Sequence, residues 1–166
     1  MKNKFMQIAA GTILGLLILL AGTQIFVSGQ EDENAGRRRS IEGTWRTVVT
    51  QRNCQTGVAI RSFPGVLSFN QGGTLVGDSA VASPALKTAS YGTWQRQHGR
   101  REYSFAFMLL LFNPDGTFAG TQEVTQTATL ESNGDDFTTT GTLKVFDANG
   151  NQIATGCATS TGTRFE

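Results

Sequence analysis

The chain has 166 residues, with 14 Lys and Arg against 13 Asp and Glu, and a single His. That length gives one domain with a real core, and the near balance of charge leaves no electrostatic footprint for nucleic acid. A zinc site needs three or four ligands, and with its two cysteines taken as a disulfide the chain offers one histidine.

Residues 1–29 read as a signal peptide. Lys2 and Lys4 precede an apolar run over 5–21, and Val27-Ser28-Gly29 offers a small-residue cleavage site before Gln30. If left uncleaved, 5–27 is long enough to act as an N-terminal membrane anchor, the one way this sequence makes the membrane a partner. Either way the domain is delivered outside the cytoplasm, secreted or periplasmic. Without Lys2 and Lys4 the mature part carries 12 basic and 13 acidic residues, a net charge of −1. Residues 30–40, with Glu31-Asp32-Glu33 and Arg37-Arg38-Arg39, read as a polar, solvated linker. The domain proper is 41–166.

That domain is a run of short β segments punctuated by turns at Asn70-Gln71-Gly72-Gly73, His98-Gly99-Arg100-Arg101, Asn113-Pro114-Asp115-Gly116, Ser132-Asn133-Gly134-Asp135 and Asp147-Ala148-Asn149-Gly150-Asn151. Asn, Asp and Gly suit hairpin turns because they tolerate positive φ. The spacing predicts strands over 42–52, 63–70, 74–79, 90–97, 102–112, 117–130, 136–146 and 152–165. Tight turns make the sheet a meander, and an eight-stranded meander with one buried face closes into an up-and-down antiparallel barrel, which removes its exposed edges. The fold class is all-β.

Cys54 and Cys157 are expected to form one disulfide, as an isolated pair does in an oxidising compartment. Set opposite each other, they place the first strand beside the last, with Trp45 opposite Glu166, Thr47 opposite Arg164, and Trp45 diagonal to Arg164 on one face. A faint repeat runs through the chain: Gly43-Thr44-Trp45-Arg46 returns as Gly92-Thr93-Trp94-Gln95, and the Phe69-Asn70 turn returns at Phe112-Asn113.

Strand parity suggests what the barrel encloses. Phe118, Val124, Ala128 and Leu130 share a face with Gln122 and Gln126, and Phe137, Thr139, Leu143 and Val145 form the next apolar set. On the last strand Ala154, Gly156, Ala158, Ser160 and Gly162 share the face of Arg164, and small inward residues leave room for a guest. The cavity candidates are Trp94, Tyr103, Phe105, Phe107 and Phe118 as apolar wall, with Gln122 and Gln126 to orient a small apolar or amphipathic ligand. The alternative is a filled core whose glutamines satisfy backbone groups. The fifth strand, apolar on both faces over 105–112, suggests a homo-oligomer that covers its outer face. The loop 78–90 is a candidate lid.

Catalytic chemistry finds little support. His98 sits in a turn with no second histidine for a triad, and Asp135 and Asp136 are turn residues. Asp147-x-Asn149-x-Asn151 resembles the start of a calcium loop but lacks its glycine position and closing glutamate, so it reads as a hairpin turn. No cofactor or metal is expected, and any enzyme would work through Tyr103, Gln122, Gln126 or Glu102 inside the barrel.

At Gly43-Thr44-Trp45 the chain resembles the lipocalins and the wider calycin superfamily. The resemblance implies an eight-stranded barrel whose Gly-x-Trp on the first strand is covered by an arginine from near the end of the chain. Arg164 matches that role, with Gly43, Trp45 and Arg164 as the barrel floor. The Thr-Asp-Tyr triplet of the later turns is missing here. The strand count is similar also to the allene-oxide-cyclase-like barrels, which include cyclases and isomerases. The first resemblance implies a ligand carrier, the second a cofactor-free cyclase or isomerase; a solid structural or interaction barrel is the third reading.

Overall fold

The structure, a computed structural model, describes residues 40–99 and 101–165. The expected signal peptide, the linker up to Ser40, and the position of Glu166 lie outside these residues.

Eight strands form one closed antiparallel barrel in chain order: β1 (Gly43–Arg52), β2 (Ala59–Phe69), β3 (Thr74–Ser79), β4 (Ser90–Arg96), β5 (Glu102–Phe112), β6 (Phe118–Leu130), β7 (Asp136–Asp147) and β8 (Gln152–Arg164). Each strand pairs with the next, and β8 closes on β1. The only helical turn among the described residues is a 3-10 turn at Pro84–Leu86, between β3 and β4. The β2–β3, β4–β5 and β6–β7 turns lie at the end of the barrel where β1 begins, here called the floor. The β1–β2 turn, the 80–89 loop, and the β5–β6 and β7–β8 turns surround the other end, the mouth.

Seven of the eight expected strands keep their bounds to within a residue. β2 begins earlier, at Ala59, where Asn53–Val58 folds into a tight turn closed by the Asn53 N–H to the Val58 carbonyl at 2.9 Å. Pro64 stands inside β2, opposite Val48. The β2–β3 ladder begins only at Gly65, so the missing proline N–H falls beyond its end.

The β1–β8 register also differs from the expected one. Trp45 lies directly opposite Arg164, and Cys157 lies opposite Arg52 rather than Cys54. Cys54 has already left the strand, and the disulfide reaches back diagonally to Cys157 with a Cα–Cα distance of 5.2 Å. The shift is even, so Trp45 and Arg164 keep one face and Cys157 the other.

Inward positions alternate along every strand. On β5 they are the odd ones, with Tyr103, Phe105 and Leu109 buried while Ala106, Met108 and Leu110 face out. The densest part of the core is at the floor: Ile41, Trp45, Phe69, Leu75, Tyr103, Phe105, Ala128, Leu130 and Phe137. Of the small residues expected to leave room, Gly156 and Gly162 are filled by their neighbours, whereas Ala158 and Ser160 line a cavity and Ala154 is exposed. A Cβ on Gly162 would sit 2.3 Å from the Phe137 ring, and one on Gly77 would sit 2.4 Å from Leu67. Glycine here makes place for a ring or branched side chain of the adjacent strand, so the lower half of the barrel is solid.

Candidate functional site

The site rises in tiers from the floor. Trp45 is wholly buried, and its indole N–H donates to the Ile41 carbonyl at 2.8 Å. The Arg164 guanidinium lies 4.2 Å from the centre of the indole, and Phe137 packs edge-on against it at 4.8 Å. Arg164 also donates to the carbonyls of Ser40 (3.0 Å), Glu42 (2.8 Å) and Gly134 (2.8 Å). One planar cation thus joins the segment before β1, the β6–β7 turn and the tryptophan face. Gly43 must be glycine twice over: its φ is +122°, and an added Cβ would meet Arg164 Nη1 at 2.8 Å.

Above this floor is a polar tier. Thr47, Gln126, Thr139 and Ser160 are all buried, on β1, β6, β7 and β8. Ser160 pairs with both Val49 and Thr139, and Gln126 pairs with Gly141. The missing side chain of Gly141 gives Gln126 its space, since a Cβ there would stand 2.6 Å from the Gln126 Cγ. The Thr139 hydroxyl is enclosed and has no hydrogen-bond partner among the described residues.

Toward the mouth the wall becomes apolar. A cavity of about 60 Å³ is lined there by Val49, Phe63, Leu67, Phe107, Leu109, Val124 and Leu143, together with Thr47, Gln51, Gln122, Gln126 and Ser160. The 80–89 loop contributes Val81 to the lining at this end. It is pinned by the Thr88 N–H to the Leu110 carbonyl (3.0 Å) and by the Leu110 N–H to Thr88 Oγ1 (3.0 Å). Lys87, in the same loop, is a buried cation whose ammonium donates to the Asp78 carboxylate. That hydrogen bond is the main reason the Asp78 carboxyl lies below its ordinary range.

The sequence candidates divide between the tiers. Phe107, Gln122 and Gln126 line the cavity. Tyr103 and Phe105 belong to the floor core, where Arg96 Nη2 donates to the Tyr103 hydroxyl at 2.9 Å. Trp94 packs beside them and donates its indole N–H to the Asn70 carbonyl at 2.9 Å. Phe118 does not join the group. The β5–β6 ladder slips where Leu111 faces Gly120 and Phe112 faces Phe118, which leaves Ala119 over. This bulge breaks the alternation, so Phe118 is 45 % exposed and its ring packs on Phe112. Glu102 and His98 are exposed near the floor, away from the cavity. Asp147 caps the β7–β8 turn, accepting from Asn151 Nδ2 and the N–H groups of Asn149 and Asn151, bonds that hold its carboxyl below the usual range.

Parity had already put Val124, Thr139, Leu143, Ala158 and Ser160 on the inner face. Thr47, Val49, Leu67 and Leu109 were missed, although the same alternation counted from Trp45, Phe69 and Phe105 identifies them. Comparison with protein-family models found no match, and comparison with curated proteins found no similar sequence.

Proposed function

We propose that this chain is an exported, lipocalin-like barrel that holds a small apolar or amphipathic molecule in its upper half. The observation that carries the reading is the cavity between the polar tier and the mouth loop. It has an apolar wall, three carboxamides from Gln51, Gln122 and Gln126, and Val81 of the 80–89 loop in its lining. The Trp45–Arg164 floor supports the calycin likeness, because it closes the opposite end and leaves one way in. The Cys54–Cys157 disulfide supports export, since such bonds persist in oxidising compartments.

A second copy of the chain is the proposed cover for the outer face of β5. Val76, Tyr91 and Met108 stand in one cross-strand row, 39 %, 60 % and 41 % exposed, with Leu110 beside them at 37 %. Native mass spectrometry of the protein purified from its own host, followed by organic extraction, tests both parts. The expected spectrum shows a stoichiometric small molecule on a dimer or higher oligomer. A clean ligand-free monomer would move the reading to a filled barrel that acts through its surface.

A further inference from the structure

We infer that the guest enters this barrel polar end first, and that this end is uncharged: a hydroxyl, carbonyl or amide on an apolar body. The inference rests on the binding reading above and concerns which molecules the same cavity takes.

Three observations lead to it. The first is the polar tier at the bottom of the cavity. Gln126 is 5 % exposed, yet among the described residues no hydrogen bond reaches its carboxamide. Thr47 and Ser160 on neighbouring strands are equally buried, and their hydroxyls are likewise without a protein partner among those residues. Buried polar groups in folded proteins are almost always satisfied, so a cluster of them around one cavity points to a hydrogen-bonding occupant.

The second observation is the order of the tiers. Leu67, Phe107, Leu109, Val124 and Leu143 complete the wall, and Val81 of the loop stands at the opening. A molecule seated apolar end first would leave the buried tier unpaired, whereas Gln51 and Gln122, nearer the mouth, are only half-buried, and Gln51 already accepts from Arg61 Nε at 2.7 Å. A molecule whose polar end reaches Gln126 exchanges water for a carboxamide that both donates and accepts.

The third is charge. Among the described residues Asp78 is the only charged side chain of the lining; that side chain is 58 % exposed and paired with Lys87. Arg164 lies beneath Trp45 and is committed to backbone carbonyls. An ionised carboxylate, phosphate or ammonium at the depth of Gln126 would therefore be buried without a counter-ion. The cavity volume, about 60 Å³, suits a small head and its first carbons. The rest of a longer guest passes the mouth loop.

The test compares hexan-1-ol, hexanoate and hexane on the disulfide-bonded protein by calorimetry at about pH 7.5, where hexanoate is ionised. Hexan-1-ol is expected to bind about tenfold or more tightly than either of the others. Gln126→Leu should lower hexan-1-ol affinity about tenfold and leave hexane unchanged, and magnetisation transfer should connect the carbinol protons to the Gln126 amide protons. Should the leucine variant fail to fold, the three-ligand comparison and Ser160→Ala on the folded protein decide. Equal binding of hexane or hexanoate, or carbinol contacts to Val81 in place of Gln126, would overturn the inference while leaving a binding barrel. Binding of none of the three, with ordered water alone on Gln126, would overturn both.

Discussion

Arg164 shows how much of the barrel can depend on one side chain. Its guanidinium stacks on Trp45 and satisfies the carbonyls of Ser40, Glu42 and Gly134, with Asp135 at 3.5 Å from Nε. Arg164→Ala removes a donor set and leaves part-buried acceptors unpaired, which should cost about 1–3 kcal/mol in urea unfolding. Arg164→Lys should recover only a minor part, because an ammonium cannot lie flat on the indole and reach three carbonyls from a planar fork. Unfolding free energies of the lysine variant equal to wild type would show that charge alone suffices. Gly43 belongs to the same unit: its positive φ and its contact with Arg164 explain physically why the residue two before the tryptophan is glycine.

At the scale of the element, the 80–89 loop is more than a connection. Its backbone bonds to Leu110 through Thr88, and Lys87 anchors it to Asp78 of β3. The Asp78 carboxyl is held below its ordinary value of 3.8, chiefly by the Lys87 hydrogen bond. The stabilisation is therefore complete above that value and is lost as pH falls through the lower folded value. Amide exchange at Thr88 should be slow at neutral pH, where Asp78 is ionised, and should accelerate below about pH 3.8 beyond the intrinsic trend. Asp78→Asn should show the faster exchange already at neutral pH, because it leaves the buried ammonium without its carboxylate. Unchanged exchange in that variant would mean that the Thr88 bonds alone hold the loop. The loops with Asn70 and Asn113 show element-level repetition as well: each asparagine amide reaches a threonine hydroxyl four residues on, Thr74 at 3.4 Å and Thr117 at 3.0 Å.

For the whole barrel, closure is made twice, once by the β1–β8 ladder and once by the Cys54–Cys157 bond across 103 residues of chain. A loop of that length predicts a large effect on the unfolded chain, about 4.7 kcal/mol by chain entropy. Cys54→Ser with Cys157→Ser should therefore lower the unfolding free energy by roughly 2–5 kcal/mol in denaturant titrations, with the far-ultraviolet circular dichroism of the folded state retained. A loss below about 1 kcal/mol would mean that the unfolded chain is already compact near this closure.

The sequence by itself determined the strand number, the meander, the disulfide pairing and the inward face of β1 and of β6 to β8. These follow from turn chemistry and a period of two, both local properties of the chain. It also led to Trp45, Arg164, Phe107, Gln122 and Gln126. Only the tertiary structure decided the β1–β8 register, because Cys54 lies beyond the strand and a disulfide can bridge residues that are not opposite. Only it exposed Phe118, since a bulge at Ala119 reverses parity without a signal in composition. The size of the cavity was equally beyond the sequence: Gly162 reads as empty space until Phe137 of the adjacent strand fills it. Side-chain volume is a property of one residue, whereas a void is the difference between the volumes of many, fixed only when strands are set beside each other.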